Sequence, residues 1–135
     1  MVHKATTAAW MRGNPLFEPL CEEAANKLLD HCTVQTFTSG QRLIEQNGKN
    51  ESLFLITLGK VKIVINGTEV DTQQAGESIG EISTSNISPP VADVIAITDV
   101  EVIVFPIETV HDLCNSNPDF AKRLRDTGMK KVYDR

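Results

Sequence analysis

The chain has 135 residues, 41% of them hydrophobic and 23% charged, which suits one soluble globular domain with a core of its own. Its net charge of −5 is unevenly spread: residues 122–135 carry six Lys or Arg against two Asp (+4), leaving seven basic and sixteen acidic residues (−9) elsewhere. An acidic body of this kind argues against nucleic-acid binding and offers no general attraction to small anions.

The N-terminal stretch "MVHKATTAAWMRGN" lacks the apolar centre of a secretory signal and reads as an extension, residues 1–14. In "PLFEPLCEEAANKLLDHC" the spacing predicts a helix from about Leu20, with Leu20, Ala24, Leu28 and Cys32 along one stripe. From Thr33 the period changes to two. "TVQTFTSG", "QRLIEQNG" and "SLFLITLG" each end on glycine, at Gly40, Gly48 and Gly59. "KVKIVI" and "TEVDTQQ" flank Asn66-Gly67, the pair that best marks a two-residue hairpin. A second hairpin is expected about Thr98-Asp99 in "ADVIAITDVEVIVF".

Helical signals return after Pro106 in "IETVHDLCNS", and again after Asn117-Pro118 in "DFAKRLRDT", which Gly128 is expected to stop or bend. The stripe of Phe120, Leu124 and Val132 suits packing on a partner or on the domain itself. The basic tail reads either as a surface for an acidic partner or as a solvated helix face. The expected fold is mainly β with flanking helices: a jelly-roll barrel of about eight strands between N- and C-terminal helices. One domain spans residues 1–135, with its core at 15–124 and a tail at 125–135.

No apolar stretch reaches membrane-spanning length; the densest, "SLFLITLGKVKIVI", is broken by Gly59, Lys60 and Lys62. Cys21, Cys32 and Cys114 form no C-x-x-C pair, so reduced thiols in a cytoplasmic protein are expected. His3, His31 and His111 show no metal-ligand spacing, which argues against a cupin-like jelly-roll metalloenzyme. No nucleophile–base arrangement is legible either, so neither catalysis nor a cofactor is expected.

The stretch "GESIGEISTSNISPPVADV", residues 76–94, suggests an anion pocket: turn-forming glycines, Glu81 directly after Gly80, then small hydroxylic residues. The chain from Pro15 to Leu124 resembles a cyclic-nucleotide-binding domain, the module shared by the catabolite-activator family, cyclic-nucleotide-dependent kinases and gated channels. "QQAGESIGEI" is similar to the family's G-x-x-F-G-E-[LI] start of the phosphate-binding cassette, with Ile79 in place of Phe, and "VIAITDVEVIVFP" is similar to its A-x-T-D-V strand pair. The resemblance implies a glutamate that accepts from a sugar hydroxyl, backbone N–H groups close to a cyclic phosphate, and an arginine that pairs with the phosphate. It places any ligand against Gly80, Glu81, Ile82, Ser83, Pro90, Val91, Ala92 and Asp93.

The departure lies at the cation. Nine residues after Glu81, where relatives usually carry arginine, stands Pro90, and no arginine occurs between Arg42 and Arg123. Losing one member of a desolvated charge pair costs roughly 2–5 kcal/mol, and proline offers no N–H in compensation. Asp93, if it faces the cavity, adds like-charge repulsion. The hydroxyls of Ser83, Thr84, Ser85 and Ser88 suit either anion donors or turn formers.

The expectation is therefore a non-catalytic regulatory module with a degenerate site, in which cyclic AMP or cyclic GMP binds weakly or not at all. It acts through a protein partner, a covalently linked effector domain or another ligand, and the chain carries no DNA-reading element. The alternative is a working cyclic AMP or cyclic GMP sensor.

Overall fold

Alternation of apolar and polar side chains from Thr33 to Pro106 builds eight strands in a computed structural model that describes residues 4–50, 52–81 and 89–133. They are β1 (Thr33–Phe37), β2 (Arg42–Ile44), β3 (Ser52–Leu58), β4 (Lys60–Ile65), β5 (Thr68–Gln74), β6 (Ser78–Ile79), β7 (Asp93–Ala96) and β8 (Val100–Pro106). Two antiparallel four-stranded sheets result, ordered β1-β8-β3-β6 and β2-β7-β4-β5. The helices are α1 (Lys4–Arg12), α2 (Glu22–His31), α3 (Ile107–Ser116) and α4 (Pro118–Tyr133), with a short 3₁₀ turn at Pro15–Phe17. None of the described helices is long and apolar enough to cross a membrane.

The strands β3 and β8 are apolar on both faces because each face meets a different core. Phe54, Ile56, Val100 and Val102 point between the sheets, against Ile44, Val61, Ile63, Val94 and Ala96 of the facing sheet. The alternate residues Leu53, Leu55, Ile103 and Phe105 point outward, where Phe17, Leu28, Val110, Leu113, Phe120 and Leu124 of the helices cover them. Phe17 sits at the centre of this second core, its ring centroid 5.4 Å from Phe105 and 6.4 Å from Phe120.

The expected jelly-roll class and the hairpin at Asn66-Gly67 are present; Asn66 and Gly67 take φ of 50° and 82° between the paired β4 and β5. The hairpin expected at Thr98-Asp99 is not. There the chain leaves one sheet for the other: β7 pairs with β2 and β4, whereas β8 pairs with β1 and β3. The crossing is tied to other corners instead. Ser39 Oγ donates to the Ile97 carbonyl, and the Lys60 N–H donates to Thr98 Oγ1. A Cβ on Gly59 would lie 2.2 Å from the Asp99 carbonyl oxygen, so only glycine permits that approach.

Two helical expectations are corrected as well. The supposed N-terminal extension contains α1, whose Met11 is buried in the helical core. Asn14 then anchors the following turn: its side-chain oxygen accepts from the Leu16 N–H, and its amide donates to the Gly76 carbonyl. At the other end Gly128 does not stop α4; the helix runs through it to Tyr133, and Gly128 itself is buried. Burial of the Phe120–Leu124 face outweighs the helix penalty of one glycine, about 1 kcal/mol.

Candidate functional site

At the end of the inter-sheet core, β6, the start of β7 and the last turn of α4 converge on a small cavity. Gly80 makes the corner that leads into it. Its φ is 95°, and a Cβ there would lie 2.6 Å from the Ser52 carbonyl oxygen, so the position demands glycine twice over. That corner turns Glu81 inward, where it is only 1% exposed. Its Oε2 accepts from Ser78 Oγ at 2.8 Å and from the ammonium of Lys131 at 2.6 Å. The Lys131 ammonium also donates to the Ser78 carbonyl, which accepts in addition from the buried Gln73 amide at 3.1 Å.

Ile44, Ile63, Ile79, Ala92 and Val94 supply apolar wall, Pro90 and Val91 line one side, and Glu81 with Lys131 forms the polar end. The cavity among the described residues measures about 40 Å³. Among the described residues lining it, Lys131 is the one cation.

Of the residues expected to form the site, the fold brings Gly80, Glu81, Pro90, Val91 and Ala92 together around this cavity. Pro90 is buried, and its carbonyl accepts from the Asn47 N–H at 2.8 Å, which holds the loop with the proline ring at the cavity. Asp93 does not join them. The alternation of β7 sends Val94 and Ala96 into the core and Asp93 to the other face, where its Oδ1 accepts from the Gln46 N–H at 2.7 Å and lies 3.8 Å from Arg42 Nε. The feared repulsion at the cavity is thus absent. Ile82 and Ser83, with Thr84, Ser85 and Ser88, lie outside the described residues.

Sequence reasoning missed Lys131, treating it as part of a basic tail. The signal was available in the helix period: Phe120, Leu124 and Gly128 recur at four-residue steps along the buried face, and Lys131 falls one turn further on that face. Among the described residues no group of three or more His, Cys, Asp or Glu converges as a metal site.

Comparison with known proteins agrees with this geometry. A family model described as cyclic nucleotide-binding domain matches residues 34–117. The cAMP-dependent protein kinase regulatory subunit of Debaryomyces hansenii is 24% identical over 105 residues, 78% of this chain and 23% of that protein. The Pycsar effector protein XpPycTIR of Xanthomonas perforans is 26% identical over 115 residues, 84% of this chain and 38% of that one. Among solved structures, the regulatory subunit of a cAMP-independent protein kinase A from Trypanosoma brucei, as a mutant bound to cAMP in its A site, superposes with a TM-score of 0.78. It is 22% identical and covers 96% of this chain and 51% of that one. The chain therefore spans well under half the length of these two curated relatives. With the matched segment running from β1 to the end of α3, and with Gly80 and Glu81 opening the cavity at its centre, the chain belongs to the cyclic nucleotide-binding domain family.

Proposed function

We propose that the chain is a non-catalytic regulatory module whose pocket does not hold cyclic AMP or cyclic GMP in the ordinary way, and that it acts through protein contacts or another ligand. The observation that carries this reading is Pro90 in the cavity wall, beside a lysine whose charge is already committed to Glu81. A phosphodiester entering here meets a proline ring in place of a guanidinium and lies near a buried carboxylate. Loss of the pairing cation costs roughly 2–5 kcal/mol, about a 30-fold to several-thousand-fold loss of affinity.

The relatives support the reading from two sides. The trypanosomal kinase is described as cAMP-independent, and its cAMP-bound form carries three substitutions, one of them to arginine. A kinase regulatory subunit and a Pycsar effector among the relatives support a partner or a linked effector as the output. Three free cysteines, Cys21, Cys32 and Cys114, support a reducing compartment such as the cytoplasm.

Calorimetric titration of both nucleotides tests the proposal. The wild-type chain is expected to show no saturable binding below about 100 μM, and Pro90→Arg is expected to bind at least about tenfold more tightly. Low-micromolar binding by the wild-type chain overturns the reading in favour of a working sensor, for which the retained Gly80-Glu81 pair speaks.

A further inference from the structure

We infer that Lys131 is the resident occupant of the Glu81 site: the last turn of α4 plugs the pocket with its own ammonium, and a ligand enters only by displacing it. The inference deepens the proposed function by giving the site an internal competitor, and it rests on that reading only in taking the cavity for a ligand site.

The geometry is that of a bound group rather than a surface contact. The Glu81 side chain is 0% exposed and that of Lys131 is 19% exposed, with Nζ and Oε2 2.6 Å apart. A carboxylate so far from water needs a hydrogen-bonded counter-charge, and it comes from a residue fifty positions away, on a different layer of the fold. A second donor of the same ammonium is spent on the Ser78 carbonyl, an acceptor in the strand that leads to Glu81. Lys131 lines the cavity together with Glu81.

The placement is written into α4. Phe120 and Leu124 seat the helix in the core, and Gly128 continues the buried row without a side chain. Lys131 then arrives on the inward face. With it in place the cavity among the described residues measures about 40 Å³, far below the roughly 300–1,000 Å³ of an ordinary ligand pocket.

Displacement sets a chemical requirement on the ligand. Withdrawal of Lys131 takes its hydrogen bonds from the Glu81 carboxylate, which lines the cavity, and from the Ser78 carbonyl beside it. A ligand that replaces it must present hydroxyl or ammonium donors to this corner; a bare anion presents none. Entry of the ligand frees the last turn of α4 and brings Lys131 out beside the already exposed Lys130, so occupancy of the pocket is coupled to the placement of a basic helix end.

Hydrogen exchange on the full chain tests the plug without any ligand. Lys131→Met and Glu81→Gln are each expected to speed exchange in the last turn of α4 by at least about tenfold, because the local opening equilibrium loses its tether. The double variant is expected to exchange no faster than either single one, since both remove the same contact. Glu81→Gln removes the fully buried carboxylate and leaves only the Lys131 ammonium, which at 19% exposure can turn to solvent. It keeps the test decisive if Lys131→Met, which strands the carboxylate, folds poorly. Unchanged protection in Glu81→Gln overturns the inference.

A second arm reads competition. Cyclic AMP is expected to bind Pro90→Arg/Lys131→Met at least about tenfold more tightly than Pro90→Arg alone, because the competent fraction rises when the plug is removed. Equal affinities overturn the inference. Tight nucleotide binding by the wild-type chain defeats the proposed function yet leaves the exchange result standing, so the two failures are separable.

Discussion

At the scale of single residues, the site depends on backbone positions that exclude a side chain. Gly76 and Gly80 both hold positive φ, 96° and 95°, but their surroundings differ. A Cβ at Gly76 meets nothing within 4 Å, whereas one at Gly80 meets the Ser52 carbonyl at 2.6 Å and the Asn50 amide at 3.0 Å. Gly76→Ala is therefore expected to cost only the left-handed backbone penalty, about 1–2 kcal/mol. Gly80→Ala is expected to cost about 1–3 kcal/mol more, from the added overlap. Urea midpoints at unchanged slope measure the difference. These glycines were legible as corners because few other residues tolerate such turns. At the Gly48 corner the left-handed residue is its neighbour Asn47, with φ of 61°. Asp93 could not be read at all from its type: only the strand alternation, set by Val94 and Ala96 seeking the core, decides that it faces Gln46 and Arg42.

Among the elements, α4 joins core packing to the pocket. Its first half is held by Phe120 and Leu124, both fully buried, and its last turn by the Lys131 ammonium on Glu81 and the Ser78 carbonyl. Gly128 stands between these halves. Gly128→Pro removes one helical hydrogen bond and clashes with the preceding turn, an effect of about 3 kcal/mol or more in a helix interior. The expected outcome is a lower melting temperature, with exchange protection lost beyond residue 128 and kept around Leu124. Equal loss on both sides would show that α4 unfolds as one unit. The strands teach a related lesson. The period-two pattern identified β7 and β8 correctly as strands, but a strand's pattern does not name its neighbour. The short Ile97–Asp99 link looked like a hairpin turn, yet it carries the chain between sheets because Val94 and Val102 both bury against the same core from opposite sides.

Across the whole molecule, two cores share one sheet, and titration of groups between its layers couples stability to pH. Burial between helices pushes the Cys114 thiol above its ordinary value of 9.0 by desolvating the thiolate. In the unfolded chain the thiol ionises first, so the unfolded state gains stability as pH rises past 9.0. The contribution of Cys114 is thus complete below pH 9.0 and lost as pH climbs through the raised folded value. Denaturation midpoints are expected to show a constant difference between wild type and Cys114→Ala below that pH and a narrowing one above it. A difference that stays constant to high pH would place the thiol in water.

Local chemistry alone determined the fold class, the Asn66-Gly67 hairpin and the corner at Gly80. Each follows from periodicity or from a residue whose conformational limits are intrinsic. Tertiary structure decided which strands pair, where Asp93 points, and above all that Lys131 meets Glu81 across fifty residues. A lysine's sequence neighbours say only that it is charged. Its burial against a carboxylate depends on a helix whose direction is set by Phe120 and Leu124 packing into the core, and that long-range contact forms the polar end of the cavity.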